Sequence, residues 1–129
     1  MGTTVLLLVD DEAALQWMLS DELVEAGFEI VAVSDGTQAL AELNAEEIRF
    51  GGVITDIKLG QGPDGWDVAR RARERVSDLP VIYMTGDSTH EWSSKGVPNS
   101  LVIAKPFAPA QLITAISMLI TDAGTHRTG

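Results

Sequence analysis

Five short apolar runs recur along the chain, and between them apolar residues return at helical spacing over longer stretches. The runs are Thr4–Val9, Phe28–Val33, Gly51–Thr55, Pro80–Thr85 and Leu101–Ala104. Their length suits strands, and their near-continuous apolar character suits strands covered on both faces of a sheet. After the first run, Glu12–Ala26 places Leu15, Met18, Leu19 and Leu23 on one helical face, and Gly27 supplies a stop. The turn Ser34-Asp35-Gly36 leads into a second helix, Thr37–Ala45, and Trp66–Val76 makes a third. Gly86–Ser100 mixes Gly, Pro and Ser with only a weak helical pattern, which predicts a short or irregular fourth helix. Pro109 sits where a first helical turn tolerates it, and Leu112, Ile113, Ile116, Leu119 and Ile120 recur through a last helix. The polar stretch Gly124–Gly129 reads as a disordered tail. Strand and helix thus alternate five times, predicting an α/β fold with a parallel sheet between two helical layers. With no repeat, linker or second domain in view, residues 1–123 are expected to form one domain.

Composition supports that picture and removes several function classes. A chain of 129 residues, 45% apolar and 22% charged, can bury a core without disulfide or metal staples. It has no cysteine, which excludes a disulfide framework and a thiolate metal site. A net charge of −10 would repel a phosphate backbone, so nucleic acid is not an expected partner. Arg70, Arg71, Arg73 and Arg75 alternate with Val68, Ala69, Ala72 and Val76 and read as the solvated face of an amphipathic helix. No apolar run approaches the roughly 18 residues of a membrane span, and the N-terminus lacks a signal-peptide pattern. The expected location is the cytoplasm.

Three of the apolar runs end in chemistry. Asp10 and Asp11 follow the first, Asp56 the third and Lys105 the fifth. In a parallel sheet these ends meet at one edge, where open α/β sheets bind ligands. Adjacent carboxylates are costly, since unit charges about 4 Å apart repel by roughly 4 kcal/mol at an effective dielectric of about 20. A divalent cation offsets that cost, and oxygen ligands of this kind suit Mg2+, which pairs one or two carboxylates with a phosphate. Asp56, at a strand tip, can act as a nucleophile toward a phosphoryl group and form an acyl phosphate. Lys105 can pair with the phosphoryl oxygens as a point charge, and the hydroxyl of Thr85 can donate to one of them once it exists. The bland alternatives are a helix cap for Asp10-Asp11, a surface lysine for Lys105 and mere β-propensity for Thr85.

The strings Leu8-Val9-Asp10-Asp11-Glu12, Thr55-Asp56, Asp64-Gly65, Thr85-Gly86 and Lys105-Pro106-Phe107 occur in one order and spacing. Over Val5–Leu119 this pattern resembles the receiver domain of two-component response regulators. The resemblance implies a flavodoxin-like (βα)5 fold with sheet order 2-1-3-4-5, and Asp56 as the acceptor of phosphate from a histidine kinase or histidine phosphotransferase. It also implies Mg2+ held by Asp11, Asp56 and the backbone carbonyl of Lys58, with Asp10 acting through water, Thr85 and Lys105 on the phosphoryl group, and a cis Lys105-Pro106 bond. Such a chain is not expected to turn over a separate substrate; its chemistry is its own phosphorylation and dephosphorylation.

Departures from the family pattern matter as well. Val102 stands where receivers usually carry Tyr or Phe three residues before the lysine. Pro80–Asp87 is similar to the Phe-Ala-Thr-Gly-aromatic strand of an alphaproteobacterial receiver subgroup, but Asp87 replaces the final aromatic. Pro63 lies seven residues after Asp56 rather than the common four, so that loop is longer. Lys58 and Asp87, at positions that tune phosphoryl lifetime in receivers, could pair across the site mouth. Trp17 falls off the apolar stripe of the first helix, the helix that docks the kinase in receivers. Trp92 lies in the irregular segment, where it could report phosphorylation.

The chain ends about twenty residues after Phe107. That suggests a single-domain receiver, monomeric or weakly dimeric, acting by protein contacts or phosphate transfer, with a receiver excised from a hybrid histidine kinase as the alternative. A flavodoxin-type cofactor binder is disfavoured because Asp10-Asp11-Glu12 occupies the place of a phosphate-cradling loop. An aspartate-nucleophile phosphatase is disfavoured because Lys58 stands where its second Asp belongs.

Overall fold

The computed structural model describes residues 2–86 and 91–128. The elements alternate as β1 (Val5–Val9), α1 (Ala13–Glu25), β2 (Glu29–Val33), α2 (Gly36–Leu43), β3 (Phe50–Asp56), α3 (Gly65–Arg75), β4 (Val81–Thr85), α4 (Trp92–Lys95), β5 (Leu101–Ala104) and α5 (Pro109–Thr128). All pairings are parallel, in the order β2-β1-β3-β4-β5. This is the flavodoxin-like arrangement that the motif order implied.

Strand periodicity sorts the core into two layers. Leu7, Val9, Val53, Val81 and Tyr83 face α2 and α3, where they meet Ala39, Leu43, Val68, Ala69 and Ala72. Leu6, Leu8, Ile54, Ile82 and Met84 face α1 and α5, where they meet Leu19, Leu23, Leu112 and Ile116. The central strands are therefore buried on both sides, while β2 at the edge keeps Glu29 and Ala32 exposed.

Local chemistry explains the helix ends. Gly27 takes φ +104°, a left-handed stop after α1. Asp35 caps α2 by accepting from the Gln38 N–H at 2.8 Å. Asp64 and Asp67 form a reciprocal capping box at α3.

Two expectations change. Helical structure continues past Gly124, because α5 runs on to Thr128. A glycine costs a helix about 1 kcal/mol, but no proline follows to break the hydrogen-bond ladder. The arginines of α3 are not simply a solvated face. Arg73 donates from Nε to the Leu79 carbonyl at 2.7 Å and from its terminal nitrogens to the carbonyls of Pro98 and Asn99. Arg75 donates to the carbonyls of Leu43 at 3.0 Å and Glu46 at 3.2 Å. These two guanidinium groups satisfy loop carbonyls and tie α3 to its neighbours.

Candidate functional site

The strand register brings the predicted residues to one level. Val9 lies beside Thr55, Asp56 beside Met84 and Thr85 beside Ala104. Asp10, Asp56, Thr85 and Lys105 consequently emerge together at the C-terminal sheet edge. Backbone hydrogen bonds extend the ladder past the strands, from Asp10 N–H to Val33 O at 3.2 Å, Ile57 N–H to Met84 O at 3.1 Å and Lys105 N–H to Thr85 O at 2.7 Å. The Lys105-Pro106 bond is cis.

Asp10 is fully buried, Asp56 is 7% exposed and Thr85 is 1% exposed, whereas Asp11 is open to solvent. One oxygen from each of Asp10, Asp11 and Asp56 can be chosen so that all lie within 4.8 Å of one another. Lys105 Nζ donates to Asp56 Oδ2 at 3.0 Å and sits 3.9 Å from Asp10 Oδ2. The lysine is therefore part of the cluster rather than a surface residue. Asp10 Oδ1 accepts from the Glu12 N–H at 2.8 Å, while its buried Oδ2 has no hydrogen-bond partner. Nor does the aspartate pair cap α1, whose N-cap is Glu12 without a side-chain cap bond. A shallow cleft of about 380 Å³, lined by Glu12, Asp56, Lys58, Thr85, Gly86 and Lys105, opens over Asp56.

The electrostatics follow from this crowding. Burial pushes the Asp10 carboxyl up to about 6, against the Glu12 N–H bond and the attraction of Lys105. Burial likewise raises Asp56, and the hydrogen bond and charge of Lys105 only partly oppose it. For Lys105, burial works to discharge the ammonium, yet the bond and charge of Asp56 outweigh it and hold the group above its ordinary value. One ammonium thus serves both buried carboxylates, Asp56 and Asp10, and an orphaned buried oxygen of Asp10 points into the group. This donor set fits a hard divalent cation.

Two participants were not foreseen from the sequence. Glu12 Oε1 lies 3.4 Å from Lys105 Nζ and gives the lysine a solvent-side partner. Gln16 Nε2 donates to the Val33 carbonyl at 2.8 Å and the Asp10 carbonyl at 3.2 Å, pinning the end of β1 to that of β2. Gly65 was quoted as part of a motif, and its reason is now visible. A Cβ there would stand 2.3 Å from the Asp56 carbonyl oxygen, so only glycine lets α3 begin against the end of β3.

Lys58 is exposed at the cleft, but Asp87 and His90 lie outside the described residues, and so does the supposed Lys58–Asp87 pair. Trp66 is buried at the start of α3 against Tyr83, with ring centroids 4.7 Å apart. Trp17 is 75% exposed on α1.

The fold and the strand-end cluster define a flavodoxin-like protein with an acidic site at the C-terminal edge of its sheet. Residues 6–117 match the response regulator receiver domain, and the chain belongs to that family. It is similar to a response regulator receiver protein from Sinorhizobium medicae, with a TM-score of 0.91 and 45% identity over 94% of this chain and 97% of that one. Regulatory protein VirG of Agrobacterium tumefaciens is 31% identical over 118 residues, and response regulator protein FleR of Pseudomonas aeruginosa is 36% identical over 115. These matches cover 88% and 86% of this chain but only 42% and 23% of the two relatives. No helix among the described residues is long and apolar enough to cross a membrane.

Proposed function

We propose that this receiver accepts a phosphoryl group on Asp56 from a phosphohistidine of a histidine kinase or phosphotransferase, and signals through protein contacts or by passing the group on. The observation that carries this is the Asp56 carboxylate, nearly buried at a strand tip, 3.0 Å from Lys105 and beside Asp10 and Asp11. An Asp56 oxygen attacks phosphorus, the phosphorus–nitrogen bond of the donor breaks, and the leaving imidazole nitrogen keeps the electron pair and takes a proton. Lys105 holds the carboxylate in place before the reaction and pairs with a phosphoryl oxygen after it. Thr85 donates its hydroxyl to another. Asp11, Asp56 and the Lys58 backbone carbonyl, with Asp10 through water, would hold a magnesium ion, which would supply positive charge against the phosphoryl oxygens. Water later attacks phosphorus, releases phosphate and restores the carboxylate, so the chain's chemistry is confined to its own modification. The exposed indole of Trp17 supplies an anchor for the donor protein on α1.

The test is incubation with Mg2+ and acetyl phosphate, read by intact mass. Wild-type protein gains one phosphoryl group, and Asp56→Asn gains none. Wild-type protein that stays unmodified would sink the reading.

A further inference from the structure

Val102 in β5 leaves open how occupancy at Asp56 reaches the surface, and β4 offers a route. Tyr83 and Thr85 are two residues apart on β4 and so point to the same face of the sheet. Tyr83 is fully buried, stacked at a tilt on Trp66, and its hydroxyl accepts a hydrogen bond from the Val97 N–H at 3.0 Å. The other side of that residue is held too, because Ser100 Oγ donates to the Val97 carbonyl at 2.6 Å. Ser100, 4% exposed, also accepts from Trp92 Nε1 at 2.9 Å. A chain of buried bonds therefore runs from Tyr83 through Val97 and Ser100 to Trp92.

Trp92 opens α4. That helix is four residues long, buries none of them and has no side-chain N-cap. The indole lies on Gly96, where a Cβ would come within 2.4 Å of Trp92 Cδ1. The ion pair within this turn, Lys95–Glu91, is on the surface. So short a helix is marginal by itself and takes its position from the contacts it is given.

We propose that Tyr83 is the relay between the phosphoacceptor site and α4, coupling Asp56 occupancy to the seating of Trp92. This rests on the phosphoacceptor reading and goes beyond it by naming the residues that carry the coupling, Tyr83, Val97 and Ser100. When Thr85 engages a phosphoryl oxygen, the end of β4 shifts toward Asp56 and carries Tyr83 with it. The Val97 N–H is buried and cannot be left unpaired without cost, so Val97 follows the hydroxyl or the bond breaks. Either event disturbs Ser100 and, through it, the indole that seats α4.

The experiment uses the 129-residue chain labelled with 5-fluorotryptophan and followed by fluorine NMR, with Mg2+ and beryllofluoride as the phosphoryl mimic. Trp92→Phe assigns the Trp92 resonance, and the bound beryllofluoride signal reports site occupancy separately. In wild-type protein the Trp92 resonance moves on occupancy. In Tyr83→Phe beryllofluoride still binds, but the Trp92 response shrinks about threefold or more, because the bond chain that transmits it is cut. Ser100→Ala cuts the chain one step further on and gives the same loss if Tyr83→Phe folds poorly. A Trp92 resonance that stays still while beryllofluoride binds, or moves equally in both variants, would overturn the relay. Wild-type protein that binds no beryllofluoride would remove the phosphoacceptor reading itself, and the relay with it.

Discussion

At the scale of single residues, Asp10 shows what the site costs the fold. Its carboxyl is raised to about 6 by burial, against about 3.9 for an unfolded chain. The folded state therefore binds the proton more tightly than the unfolded one. That contribution to stability is complete below the unfolded value and is lost as pH rises through about 6, leaving an ionised, buried Asp10 at neutral pH. In a chelator, Asp10→Asn is expected to stabilise the protein at pH 7 by on the order of 2 kcal/mol and to flatten the rise in stability between about pH 6 and 4. Urea denaturation across that range, with EDTA present, checks both; an Asp10→Asn protein less stable than wild type at pH 7 would contradict the argument. The residual slope belongs to Asp56, raised by the same cause. Asp10, Asp56 and Lys105 were legible in the sequence because each directly follows an apolar run, and the strand register does the rest. Gln16 was not, since a glutamine on a helix has the same pattern whether it faces water or two strand-end carbonyls.

At the scale of elements, the site depends on how α3 and its arginines are docked. The capping box and Gly65 set where α3 begins, while Arg73 and Arg75 set where its far end rests. Arg73 donates to three carbonyls, two of them in the loop before β5, and β5 leads directly into Lys105. Arg73→Lys keeps the charge but loses the planar fork, and should cost about 1–3 kcal/mol, as expected when carbonyls of a partly buried loop lose their donors. A change within about 0.5 kcal/mol in chemical denaturation, the range of ordinary surface substitutions, would show that the fork is replaceable. Nothing in the alternation of Arg with Val and Ala announced this role. Periodicity reports which face of a helix is polar, but the carbonyls that a guanidinium meets come from residues up to 32 positions away in sequence. The extension of α5 through Thr128 was hidden differently. Polar residues and a glycine weaken a helix without ending it, and only the hydrogen-bond ladder decides.

At the scale of the whole molecule, charge is divided along the chain in a way that the total of −10 conceals. Residues 1–48 contain eleven of the nineteen acidic residues and none of the nine lysines and arginines. The β1-α1-β2-α2 segment is thus uniformly anionic, and within it α1 presents Trp17 at 75% exposure, Met18 at 38% and Val24 at 55%. The same helix begins beside the site, since Glu12, its N-cap, lies 3.4 Å from Lys105. Exposed apolar side chains in a field of one sign favour a partner of the opposite sign with an apolar centre, and a lysine or arginine over the indole adds a cation–π contact. Transfer from a phosphorylated histidine-containing protein should accordingly fall as salt is raised, because steering between opposite charges is screened over about 10 Å at 0.1 M ionic strength. Trp17→Ala should slow that transfer by about tenfold or more, a loss typical of a central aromatic anchor. Phosphorylation by acetyl phosphate should keep its rate in the same variant, because a small donor needs no docking surface. Stopped-flow transfer assays run with both donors separate the two effects. Equal slowing with both would place the fault of Trp17→Ala in the site rather than the interface, and no slowing with either would remove Trp17 from the docking surface.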